Sequence, residues 1–197
     1  MEKVVKIKSI GQVTHDVKQF IVERPEGYEF TPGHATEISI NQEEWKDEKR
    51  PFTFTSLNEE GDELIVRDTW GAIEYKGPGY IIAGGAGITP YISMLRDLKK
   101  KDKLAGMNLF FSNKTDKDII LKEELDSMLG ENATYVITDQ EDTKHTNAYL
   151  NEEFLKSNIS DLSKQFYVCG PPEMTEEINK TLKNMGADND AVQLDDQ

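Results

Sequence analysis

The hydrophobic period of this chain changes at Gly77-Pro78-Gly79, which divides it into two halves of different character. Before it, VVKIKSI (4–10), KQFIVER (18–24), ATEISIN (35–41), FTFTS (52–56), ELIVRD (63–68) and GAIEYK (71–76) are short, β-branched or aromatic, with period-two character. Turn-rich stretches separate them, among them TPG (31–33), where Pro32 fixes φ and Gly33 is free to take a positive one. Such strands predict a small antiparallel β-barrel. After Gly79 the apolar runs YIIAGG (80–85), MNLFFSN (107–113), TYVITD (134–139) and QFYVCG (165–170) read as strands buried on both faces. Between and after them lie PYISMLRDLKKK, DIILKEELDSML, NEEFLKSNI and PPEMTEEINKTLKNMG, which carry helical spacing. In the last, Met174, Ile178 and Leu182 recur every four residues, and Gly186 supplies a stop. Strands alternating with helices predict an α/β doubly wound parallel sheet. We therefore expect a barrel domain over 1–77 and an α/β domain over 78–197.

Composition removes several functions. The 197 residues carry 23 basic and 37 acidic side chains, a net charge of −14, so no basic face is expected for nucleic acid. No apolar run approaches the roughly 20 residues of a membrane span. The opening MEKVVKIKSI lacks the apolar block of a signal peptide, and the single cysteine, Cys169, suits a reducing compartment. These features predict a soluble, cytoplasmic protein. His15, His34 and His145 are scattered without other ligands at metal-binding spacing, so no metal site is expected.

Three segments carry chemistry. GGAGITP (84–90) follows the first strand of the parallel sheet and opens a helix. Glycines there let backbone amides approach a phosphate at the positive end of the helix dipole. Thr89 is placed to cap that helix and Pro90 to occupy its first position. A tight structural turn is the alternative reading. CGPPEM (169–174) ends the fourth strand on the same sheet edge, and Gly170, Pro171 and Pro172 form a rigid rim there beside Cys169. Alone, Cys169 would read as an inert buried thiol. RPFTFTS (50–56) sets an arginine beside aromatic rings and hydroxyls, which on its own also describes a barrel strand with a wet face.

In that order, RPFTFTS, GGAGITP and CGPPEM resemble the ferredoxin–NADP reductase superfamily, a flavin-binding barrel followed by an NAD(P)-binding domain. The resemblance covers nearly the whole chain, and FSNKTDKDIILKEEL (111–125) is similar to the cytochrome reductase branch. It implies a flavin-dependent oxidoreductase that takes hydride from NADH or NADPH onto FAD, or FMN. Electrons would leave for a flavodoxin, a ferredoxin, a haem protein or a small acceptor, the acidic surface disfavouring an acidic carrier such as flavodoxin. By the same resemblance Arg50 would pair with a flavin phosphate, a task its guanidinium fork suits. Pro51, Phe52, Thr53, Thr55 and Ser56 would complete that flavin segment, with Thr53 near flavin N5. Gly84, Gly85, Ala86, Gly87, Ile88, Thr89 and Pro90 would hold the pyrophosphate. Asn113, Lys114 and Asp118 would lie at the adenosine ribose. Cys169, with Gly170, Pro171 and Pro172, would stand near the nicotinamide. Thr53 and Cys169 are thus the implied catalytic residues. Asp118 would repel a 2′-phosphate and Lys114 would attract one; the cytochrome reductase likeness favours NADH.

One family segment has no counterpart. A second flavin-phosphate turn, with its strand and short helix, is missing around residues 57–60. Losing one charge-assisted contact costs roughly 1.5–3 kcal/mol, and the missing strand opens a barrel edge. Weaker flavin binding, FMN in place of FAD, and loss of flavin all follow as alternatives. The competing reading of the chain is an NAD(P)-binding module used for interaction, or a shortened variant without function.

Overall fold

The computed structural model describes residues 2–53, 60–71 and 73–195. The chain forms two compact units, Met1–Glu74 with Thr89–Met94, and Tyr75–Ile88 with Leu95–Gln197.

In the first unit β1 (Lys3–Gln12), β2 (Lys18–Val22), β3 (Ala35–Ile40), β4 (Arg50–Thr53) and β5 (Glu60–Trp70) make an antiparallel half-barrel in the order β2-β1-β5-β3-β4. Val5, Ile7, Ala35, Ile65 and Val66 are buried in it. The β3–β5 register shifts between Thr36 and Ile38, which interrupts the ladder near Arg67. The fully buried Thr36 repairs it: its hydroxyl donates to the Arg67 carbonyl at 2.8 Å and accepts from the Arg67 amide at 3.2 Å. The edges of this sheet are β2 and β4. Pro51 sits on β4 opposite Glu37, and having no N–H it offers an incoming strand no donor.

One strand expectation in this half needs revision, and another falls only partly on described residues. Of FTFTS, only Phe52 and Thr53 belong to described β4; residues 54–59, with Thr55, Ser56 and most of the expected gap, lie outside the described residues. GAIEYK forms no strand among its described residues. Its backbone polar groups have another use. The Lys76 and Gly77 amides donate to the Tyr167 hydroxyl at 3.0 and 3.1 Å, and that hydroxyl donates to the Gly77 carbonyl at 2.8 Å. This anchors the chain where it enters the second unit.

There β6 (Gly79–Gly84), β7 (Asn108–Asn113), β8 (Ala133–Ile137), β9 (Thr146–Asn147), β10 (Gln165–Cys169) and β11 (Val192–Asp195) form a parallel sheet in the order β11-β10-β6-β7-β8-β9. The helices are α1 (Thr89–Lys100), whose first residues group with the other unit, α2 (Lys122–Leu129), α3 (Glu152–Asn158) and α4 (Pro172–Met185). Every residue of β6 is buried, as a strand covered on both faces requires. Tyr80, Ile82, Phe110, Val136, Phe166 and Val168 pack with Phe154, Leu155, Ile178 and Leu182 from α3 and α4. Tyr80 stacks between Phe110 and Phe166 at 5.8 and 5.4 Å. The alternate residues Ile81, Leu109, Phe111 and Tyr167 are buried on the opposite face. Arg96 of α1 grips Glu124 of α2 through two bonds of 2.6 and 2.7 Å, and this fork holds the Glu124 carboxyl below its usual range. Gly186 ends α4 at φ +103, as expected. The edge strands β9 and β11 were not anticipated.

Candidate functional site

In the parallel sheet, β7 and β8 lie on one side of β6, while β10 and β11 lie on the other. The carboxyl ends of β6 and β10 therefore flank the point where strand order reverses, where ligands of such sheets bind. Both ends are built from glycine for a steric reason. A Cβ on Gly87 would stand 2.3 Å from the Cys169 carbonyl oxygen and 2.7 Å from the Gly170 nitrogen. One on Gly84 would meet the Met174 sulfur at 2.7 Å, and one on Gly170 would meet Met174 Cε at 2.5 Å. The two turns thus touch backbone to backbone. Gly85, at φ +52, differs: a Cβ there would meet nothing within 4 Å. It is the one position of the turn whose glycine is demanded by conformation rather than by contact.

Gly85–Ile88 forms a 3-10 turn that runs into α1. The helix therefore starts differently from expectation. Ile88 occupies the N-cap position without a side-chain cap, Thr89 is the first helical residue and Pro90 the second. The preceding 3-10 turn already sets Ile88 in helical φ/ψ, which moves Thr89 inside the helix. α4 begins in the same manner, with Pro171 as N-cap and Pro172 first, also without a side-chain cap. Two helix N-termini, each the positive end of its dipole, thus follow directly from the two glycine junctions.

The third segment extends from β7. Asn113 is 5% exposed, and both ends of its side-chain amide are buried with no hydrogen-bond partner among the described residues. A buried amide left that way costs free energy unless water or a ligand completes it. Lys114 is exposed. Asp118 caps its own loop, accepting from the Thr115 amide at 2.7 Å and the Thr115 hydroxyl at 2.8 Å. Its carboxylate is thus fixed by structure, an assignment that charge alone did not suggest. Asp116, absent from the expected site, is bonded through its amide to Gln140 at 3.0 Å and through its carboxylate to Gln140 and Thr143.

Cys169 is the last residue of β10 and only 2% exposed, so its backbone rather than its thiol forms the floor under Gly87. Gly170 is half-buried; Pro171 and Pro172 are exposed. In the other unit, Arg50 is 67% exposed and donates to the Lys49 carbonyl at 2.8 Å and the Glu48 carboxylate at 3.3 Å. Phe52, two residues on and hence on the same face of β4, is 44% exposed. Thr53 closes β4 opposite Ala35. The structure thus brings the glycine turn together with the Cys169–Gly170 junction, and places Arg50 and Phe52 side by side on one strand.

Residues 81–180 match the family model of the oxidoreductase NAD-binding domain. Nitrate reductase (NADH) 1 of Nicotiana tabacum is 34% identical over 153 residues, covering 65% of this chain and 17% of that protein. NADH-cytochrome b5 reductase 2 of Debaryomyces hansenii is 32% identical over 130 residues, covering 61% of this chain and 43% of that one. The chain thus spans less than half of either relative. Among solved structures, a ferredoxin NADP+ reductase from Neisseria gonorrhoeae with bound FAD and NADP superposes with a TM-score of 0.81 at 19% identity, over 98% of this chain and 97% of that one. No helix among the described residues is long and apolar enough to cross a membrane. The chain belongs to the oxidoreductase NAD-binding domain family, and its fold is that of the ferredoxin–NADP reductases.

Proposed function

We propose that the protein is an NAD(P)H-dependent flavin oxidoreductase, with residues 78–197 holding the dinucleotide and residues 1–77 the flavin. The observation that carries this reading is the side-chain-free junction of Gly84, Gly87 and Gly170 at the reversal of strand order. Its turn leads into α1 at a proline-containing, uncapped N-terminus, a setting fit for a pyrophosphate. Asn113, with its unmatched buried amide, and Lys114 would meet the adenosine half. Cys169, Gly170, Pro171 and Pro172 would bound the nicotinamide end, the Cys169 thiol acting from beneath as a buried wall. When bound, the nicotinamide supplies a hydride and the flavin ring accepts it. Thr53 would polarise the accepting flavin nitrogen. Most of the protein's contribution would be positioning. The NADH-named relatives favour NADH. Electrons would pass on to a carrier protein, a haem protein or a small acceptor, in the cytoplasm.

Arg50 and Phe52 fit half of a flavin grip: an exposed cation for phosphate beside an exposed aromatic wall. The Glu48 carboxylate already on Arg50 is the observation that favours the second reading, a dinucleotide-binding module with impaired flavin binding, because a phosphate must compete with it. The purified protein should be yellow. Arg50→Ala should weaken flavin retention roughly tenfold to a hundredfold while NADH binding stays unchanged. Equal losses of both ligands would contradict the division of roles, and a colourless protein that still binds NADH would select the second reading.

A further inference from the structure

The connection from β8 to β9 is unusual. Val136 and Ile137 pair in parallel with Thr146 and Asn147, so only residues 138–145 join two parallel neighbours, a task that normally takes roughly a dozen residues or more. The short return is held by its contacts with the segment beyond β7. The Thr138 and Asp139 amides donate to the Asn113 and Lys114 carbonyls at 3.0 and 2.9 Å, which prolongs the β7–β8 ladder past its ends. Gln140 then meets Asp116 at two points. Its Oε1 accepts from the Asp116 amide at 3.0 Å, and its Nε2 donates to Asp116 Oδ2 at 3.3 Å. The Thr143 hydroxyl donates to the other carboxylate oxygen of Asp116. The amide and both carboxylate oxygens of Asp116 are therefore engaged by a single loop.

We propose that Gln140 and Thr143 are positioning residues that lock the 113–118 segment through Asp116 and so pre-form the wall against which the adenosine half of the dinucleotide binds. The inference rests on the dinucleotide reading above, since it assigns no contact between the lock and the ligand. Its physical basis is preorganisation: a segment already held in its bound shape loses less conformational entropy on binding. The bonds of Asp118 to Thr115 shape the 115–118 turn from within. Gln140 and Thr143 join that turn to the β8–β9 return.

The test is binding of ADP-ribose, which lacks nicotinamide, to the full chain by calorimetry, alongside steady-state kinetics with NADH. Gln140→Ala combined with Thr143→Val should weaken ADP-ribose binding about tenfold. The same pair should raise KM for NADH with kcat unchanged, and accelerate amide exchange at Asp116. Thr143→Ser, which keeps the hydroxyl, should behave as wild type, and Thr143→Val alone should show a smaller change of the same sign should the pair fold poorly. Wild-type and variant proteins that bind ADP-ribose equally would overturn the lock and leave the dinucleotide reading standing. A parallel fall in kcat and ADP-ribose affinity would also overturn it, as the mark of general unfolding. Wild-type protein that does not bind ADP-ribose at all would overturn both.

Discussion

Gly87→Ala is expected to abolish dinucleotide binding and to destabilise the parallel-sheet unit by roughly 3 kcal/mol or more. The added methyl would lie 2.3 Å from the Cys169 oxygen, 2.5 Å from the Cys169 carbon and 2.7 Å from the Gly170 nitrogen. All three are backbone atoms of a strand end paired on both sides, to β6 and to β11, so none can rotate away. Relief requires the glycine turn to lift off β10, which displaces the start of α1 from the site where the pyrophosphate would rest. Gly85→Ala is the control. It meets no atom within 4 Å, so its cost is the positive φ alone, about 1 kcal/mol. Urea unfolding and NADH titration of the two variants would separate a contact requirement from a conformational one. Equal, mild effects at both positions would show that the turns do not touch.

Tyr167→Phe should cost roughly 2–4 kcal/mol despite keeping the ring and its packing. The residue is fully buried, and its hydroxyl serves two amides and one carbonyl of Lys76 and Gly77. Burial pushes the phenol's pKa up, so the hydroxyl stays protonated and keeps its donor role across the working pH range. Removing it frees the segment that enters β6, where Gly79 is pressed so closely on Gln165 that a Cβ would fall 1.9 Å from its carbonyl oxygen. The expected readout is a lowered melting temperature together with faster amide exchange at Lys76 and Gly77. An unchanged melting temperature would mean that water replaces the hydroxyl without loss.

The change of period at Gly77-Pro78-Gly79 lies shortly after the division between the two compact units at Glu74 and Tyr75. Gly79 is required by its contact with Gln165, and the preceding amides are committed to Tyr167. The four inner strands of the parallel sheet were legible as runs buried on both faces. GAIEYK misled because alternating residues promise a ladder, while the pairing is decided by a tyrosine far along the chain. β9 and β11 escaped notice because edge strands of two and four residues carry too little periodicity. At the site, glycines in GGAGITP signalled close approach, but only coordinates show that Gly87 rests on the Cys169 peptide while Gly85 faces open space. The charge of Asp118 suggested repulsion of a phosphate; its capping of Thr115 depends on loop geometry that charge does not encode. Gln140 and Thr143 belong to no motif, and their association with Asp116 arises from the short β8–β9 return.

The most direct test of the account is to load the protein with FAD, exclude oxygen and add NADH while following the flavin's visible absorption. The account predicts bleaching, with one flavin reduced for each NADH consumed. NADH that binds while the colour persists would contradict it.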